Sequence, residues 1–136
     1  AGDLRNFIII NFKNVGLRIS DQATFDQINA DTLQIRGMIF FNNGAGLATP
    51  ANFSGATATA LGTKGVKIIE ANPNLRDPQN LTAPDFRPLA GSPALLAANV
   101  EAPPVGDTFF TAANFVGAFY ANTDWTLGWT NWVFGN

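Results

Sequence analysis

The sequence predicts an all-β solenoid, the end of a parallel β-helix carrying a short inserted helix and an aromatic-rich C-terminal cap. Three observations predict it. Leu4-Arg5-Asn6-Phe7-Ile8-Ile9-Ile10-Asn11 returns as Ile35-Arg36-Gly37-Met38-Ile39-Phe40-Phe41-Asn42, a shift of 31 positions. Self-similarity at a period of roughly 20–50 residues marks stacked repeats that bury their apolar faces against one another. Prolines at 73, 78, 84, 88, 93, 103 and 104 punctuate the second half. Each lacks a backbone donor and has a fixed φ, which prevents long regular elements there. The closing stretch is aromatic, from Phe109 through Phe115, Phe119, Tyr120, Trp125 and Trp129 to Trp132.

Taken in chain order, residues 4–12 form a near-continuous Ile/Phe run, the pattern of a strand buried on both faces. Lys13-Asn14 reads as a turn, and residues 15–19 alternate as a half-buried strand. Ser20 is the expected N-cap of a helix over 22–30 that places Phe25 and Ile28 on one face. That insertion, about 20–31, accounts for a period longer than a minimal rung. Residues 32–42 are strand again. Stacking in parallel sets Asn11 on Asn42 as a side-chain amide ladder and Arg5 on Arg36 as a like-charge column. Such a column is destabilising unless acids or anions lie between its members. The Gly/Ala/Thr-rich stretch 43–63 reads as a loop, and 66–69 as a third short strand. Residues 1–71 are therefore expected to be rungs, and 72–136 a Pro-rich, aromatic capping segment of the same domain. Within it Val116, Ala118 and Tyr120 alternate with Gly117 and Phe119, as an edge strand would. A solenoid end needs such a cover because its last strand and apolar cross-section are otherwise exposed.

The second half also carries a resemblance. Asn72-Pro73-Asn74-Leu75-Arg76-Asp77-Pro78, then Pro84-Asp85-Phe86-Arg87-Pro88 and Gly91-Ser92-Pro93-Ala94-Leu95, resembles the closing segment of secreted right-handed parallel β-helix proteins. Asp124-Trp125-Thr126-Leu127-Gly128-Trp129-Thr130 is similar to the end of large bacterial surface proteins of that architecture, many without known function. The resemblance implies a right-handed parallel β-helix terminus in the extracellular space or on the bacterial outer surface. It implies no particular reaction.

Composition excludes several functions. Only 13% of the 136 residues are charged, against a usual quarter, and the net charge is −2 with no basic cluster, so nothing marks a nucleic-acid binder. Cysteine and histidine are both absent, which removes Cys/His zinc sites and Ser-His or Cys-His nucleophiles from this chain. No apolar run approaches the roughly 18–20 residues of a membrane helix. The chain starts at Ala1-Gly2 without an initiator Met, as expected of a processed product or a segment of something longer.

The remaining chemistry is sparse, and no enzyme is expected. Of Asp77, Asp85, Asp107 and Asp124, the first follows Arg76 and the second lies two residues from Arg87, so ion pairing and turn capping are their expected roles rather than acid–base catalysis. No Asp-x-Asp cluster exists, so no cofactor is expected. Calcium is the one ion left open by analogy with polysaccharide lyases of that architecture. Asn52-Phe53-Ser54 and Asn80-Leu81-Thr82 match the glycosylation acceptor pattern. Tyr120, Trp125, Trp129 and Trp132 read as a plug for the solenoid end, with a sugar-stacking platform as the alternative. Leu4, Phe7, Ile8, Ile9, Ile10 and Asn11 read as an uncapped face that stacks on upstream rungs or on a partner chain. The expected function is accordingly that of a structural or interaction protein. The alternatives are a carbohydrate-binding module, or the C-terminal fragment of a polysaccharide-degrading enzyme.

Overall fold

The computed structural model describes residues 2–44, 51–53, 55–64 and 66–132. The chain runs β1 (Gly2–Ile10), β2 (Val15–Leu17), α1 (Gln22–Asn29), β3 (Leu33–Phe41), β4 (Ala51–Phe53), α2 (Gly55–Gly62), β5 (Ile68–Glu70), β6 (Leu75–Asp77) and β7 (Asp85–Pro88), followed by two 3₁₀ turns, Pro93–Leu95 and Ala97–Asn99. The expected all-β solenoid is not formed. In its place stands a small mixed α/β fold with a three-stranded parallel sheet ordered β1-β3-β5, a separate β2-β4 pair and an antiparallel β6-β7 pair. The reason lies in the connections. Parallel neighbours need a crossover of a dozen residues or more, commonly helical, and a β-α-β unit itself spans roughly 30 residues. A 31-residue repeat therefore suits a sheet with helical crossovers as well as it suits solenoid rungs.

The repeat itself becomes the β1–β3 pairing, in register: Leu4 opposite Ile35, Arg5 opposite Arg36, and Phe7 to Ile10 opposite Met38 to Phe41. The gap in that ladder is a shared bend. Asn6 and Gly37 are both left-handed, at φ 56° and 65°, and so are Asn11 and Asn42 at the strand ends, at 61° and 52°. Asn tolerates this region better than most side chains and Gly adopts it freely, so both strands turn at the same places. Asn42 Nδ2 donates to Asn11 Oδ1 at 2.8 Å, forming the amide ladder. Asn43, buried just beyond, accepts from Phe12 N at 3.0 Å and donates from Nδ2 to Ile9 O at 2.9 Å.

Side-chain alternation along β3 builds two cores. Met38 and Phe40 pack with Ile19, Ile28 of α1, Ile35 and Leu61 of α2, with Phe7 and Ile9 of β1 alongside. Ile39 points the other way, to Ala94 and Val116, with Ile8, Ile69 and Val100 around them. A sheet covered on both faces needs uninterrupted apolar strands, which explains the Ile/Phe runs.

Other expectations need local correction. The cap of α1 is Asp21, not Ser20: Asp21 Oδ1 accepts from Thr24 N at 2.9 Å. The stretch 43–63, expected as a loop, contains β4 and α2, while residues 45–50 and Ser54 of the first glycosylation pattern lie outside the described residues. Buried Thr57 fixes α2 by accepting from Ile19 N at 2.9 Å. Residues 116–120 form no strand; a lone Tyr120–Thr123 bridge is the pairing there. With no solenoid end to cover, the segment 72–132 acts as a wrap. Ser92 holds it: Oγ accepts from Ala94 N at 3.0 Å and donates to Pro73 O, joining the Asn72-Pro73 and Ser92-Pro93 motifs.

Two substitutions test this account. A Cβ at Gly37 would lie 2.7 Å from Asn6 Oδ1 and 2.9 Å from Glu101 Cγ, at a φ that disfavours L side chains. Gly37→Ala is expected to lower unfolding free energy by more than about 1 kcal/mol. Asn43→Ala, which removes the acceptor of the Phe12 N–H and a donor to Ile9 C=O, is expected to cost about 1–3 kcal/mol. Urea denaturation of both variants is the measurement.

Candidate functional site

The sheet has an asymmetric edge. Among the described residues β1 pairs with a strand on one side only, that of β3. The consequence is visible in register. Leu4 is 54% exposed where Ile35 is 5%, and Phe7, Ile8 and Ile9 are half-buried where Met38, Ile39 and Phe40 are wholly buried. Ile10 is half-buried and Asn11 exposed. Five of the six residues expected to form the open face thus lie on β1, whose strand partner among the described residues is β3, and Asn11 follows directly after it.

Two concavities follow that strand. One, of about 420 Å³, lies between Leu4, Arg5 and the segment carrying Pro103, Pro104, Phe110 and Phe115. The other, of about 490 Å³, is mostly apolar and runs from Phe7, Ile8 and Phe12 to Leu75, Phe86 and Phe119. Asn6 separates them. Its bent backbone turns its carbonyl to accept from Gly117 N at 2.8 Å, its Oδ1 accepts from Glu101 N at 2.8 Å, and its Nδ2 donates to Glu101 O at 2.8 Å. In the sequence Asn6 is marked only by its alignment with Gly37 at the 31-residue shift.

The arginine column exists, and an acid relieves it. Arg5 donates to Asp3 at 2.7 and 2.8 Å and to Gln34 at 3.0 Å, and the Asp3 hydrogen bonds raise the Arg5 pKa further. Arg36 Nε, aligned behind it, is buried and makes no hydrogen bond among the described residues.

Three of the four candidate aromatics belong to one run of touching rings, Trp132–Phe86–Phe119–Trp125–Trp129, and Tyr120 packs on Phe115. Trp125 has Phe119 stacked at 5.4 Å and 23° and Trp129 tilted at 5.3 Å and 33°. Their indole N–H groups are also tied down, Trp125 to Ala118 O at 2.7 Å and Trp129 to Trp125 O at 2.6 Å. Rings that face one another hide the faces a flat sugar platform needs. They are no buried plug either, because Trp125 is 48% and Trp129 66% exposed. Tyr120 packs at 5.3 Å on Phe115, and Trp132 meets Phe86 edge-on at 5.8 Å and 61°.

Trp132 instead lines a polar cleft of about 260 Å³ with Asp85, Arg87, Asp124, Thr126 and Thr130. Asp85 and Arg87 are two apart on β7, hence on the same face, and form a two-pronged pair: Nε to Oδ1 at 2.8 Å and Nη2 to Oδ2 at 2.6 Å. Hydrogen bonding from Arg87 holds the Asp85 carboxyl below the usual carboxylate range, against the opposing effect of burial. Asp124 Oδ1 accepts from Thr126 N at 3.0 Å and from its hydroxyl. Asp77 lies apart on β6, bonded to Asn80 Nδ2 at 3.1 Å, and Asp107 caps a turn by accepting from Phe109 N at 2.8 Å. Asn80, in the second glycosylation pattern, is occupied locally, accepting from Thr82 and Ala83.

Among the described residues no three acidic side chains gather at one point as a metal centre, and no helix is long and apolar enough to cross a membrane. No family model, curated protein or solved structure matches the chain.

The Asp85–Arg87 pair gives a pH prediction. A carboxyl held low in the fold contributes stability above its unfolded pKa, about 3.9, and loses that contribution as pH falls through the lower folded value. Melting temperatures of the natural chain and of Asp85→Asn are expected to differ at pH 6 and to converge as pH falls below the ordinary carboxylate range.

Proposed function

We propose that this chain is a structural or interaction protein that takes an extended strand of a partner protein along the free edge of β1. The observation that carries the reading is the difference between two in-register copies of one pattern. Met38, Ile39 and Phe40, flanked by β1 on one side and β5 on the other, are wholly buried, whereas Phe7, Ile8 and Ile9 opposite them are left part-exposed. Strand addition to an open edge draws affinity from main-chain hydrogen bonds and specificity from alternate side-chain pockets. The two concavities beside β1 supply room for those side chains.

The β1–β3 interface also specifies the occupant. A parallel strand continues it best, with apolar residues opposite Phe7 to Ile10 and Asn opposite Asn11, whose Nδ2 makes no hydrogen bond among the described residues. An acid suits the position opposite Arg5 better than a third arginine would. The partner role is one of assembly or anchoring rather than catalysis. Its extracellular or cell-surface setting belongs to the proposal on the strength of the Pro-rich motifs and the low charge.

A labelled peptide with the sequence of residues 33–43 carrying Arg36→Glu tests the edge by fluorescence anisotropy. Saturable binding is expected, weakened at least tenfold in a Leu4→Lys, Phe12→Lys double variant that keeps its fold by circular dichroism. Absence of binding, or equal binding to the variant, overturns the reading.

A further inference from the structure

The polar cleft between β7 and residues 124–132 is remote in purpose from the β1 edge, and its chemistry is different. Its charged groups are pre-arranged. Asp85 locks Arg87 through Nε and Nη2, and Asp124 is oriented by two hydrogen bonds to Thr126 that use only its Oδ1. Hydrogen bonding to Asp85 raises the Arg87 pKa, and the charge of Asp124 adds to that effect. Among the described residues, Asp124 Oδ2 and Arg87 Nη1 make no hydrogen bond, and both side chains line the cleft. Trp132, half-buried, provides an aromatic surface beside them.

We propose that this cleft binds a single neutral hexopyranose unit, stacked on Trp132 and read by Asp124 and Arg87. Adjacent ring hydroxyls present a donor and an acceptor together, which is the complement of a carboxylate beside a guanidinium. The C–H face of the same ring carries partial positive charge and suits the negative face of an indole. Two carboxylates against one guanidinium leave the cleft with a net negative charge, which disfavours uronic acids and phosphosugars. At about 260 Å³ it lies just under the roughly 300–1,000 Å³ of pockets for drug-sized ligands, the right scale for one ring. Because the acceptor and donor are held before the ligand arrives, little ordering is needed on binding.

The test is calorimetric titration of the full chain with the methyl glycosides of glucose, mannose and galactose, and with β-1,4-linked glucose and α-linked mannose trisaccharides. Saturable binding of at least one methyl glycoside is expected. Binding of trisaccharides alone overturns the single-ring assignment. Trp132→Ala and Asp124→Asn are expected to weaken binding at least tenfold and fivefold, while Phe109→Ala, on a ring that is not part of the cleft lining and is 84% exposed, leaves it within twofold. Trp132→Phe covers the case in which the alanine variant unfolds, and is expected to retain measurable binding. No saturable binding of any glycoside overturns the proposal. So does unchanged affinity in Asp124→Asn, or preference for tetramethylammonium, which an anionic aromatic cleft that ignores hydroxyls would bind.

Discussion

The rest of the molecule depends on the in-register parallel pairing of β1 with β3, and specifically on the two strands bending together. Asn6 and Gly37 adopt left-handed backbone at the same level, and Asn11 and Asn42 do so at the other end. A strand that bent alone would lose its ladder. Two that bend together keep it, and their side chains reach both faces of the sheet. The bend at Asn6 also frees one carbonyl and one amide side chain, which take up Gly117 and Glu101 from the far end of the chain.

That arrangement explains how a Pro-rich second half is held with few strands. It packs Ala94 and Val116 on Ile39 of the sheet, and hydrogen bonds from side chains to backbone tie it further. Lys67 donates to Val100 O at 2.6 Å and Asn6 to Glu101 O, and within the segment Arg76 donates to Ala121 O at 2.8 Å. Ser92 and Asn99 do the same within the segment, Asn99 donating to Pro93 O at 2.8 Å. Proline removes backbone donors, so carbonyls in this region need partners from elsewhere. Amide and hydroxyl side chains supply them, which fits a chain with many Asn and Thr and little charge.

Both proposed sites follow from the same geometry. The β1 edge is open because the pattern that satisfies β3 on two sides satisfies β1 on one. The polar cleft forms because β7 places Asp85 and Arg87 on one face, and Asp124 arrives opposite them from a turn.

The sequence by itself determined the pairing: the 31-residue shift named each partner across β1 and β3, the Asn ladder and the arginine column. It could do so because parallel in-register strands set like on like, a relation written in residue order. It also located α1 to within a residue or two, through Phe25 and Ile28. What joined the strands was decided only in three dimensions. A 31-residue interval fits a rung with an insertion or a strand-helix-strand crossover, and the Gly/Ala/Thr composition of 55–62 gives α2 little amphipathic pattern to read. The helix is placed by Thr57 and Leu61 meeting Ile19 and Ile28 across the chain. The aromatic segment shows the same limit. Spacing brought Trp125 and Trp129 to attention, but packing turned their faces toward one another and left Trp132 beside Asp85, Arg87 and Asp124. Asp124 and Trp132 lie 39 and 47 positions beyond Asp85, and only tertiary packing brings such distant side chains onto one cleft.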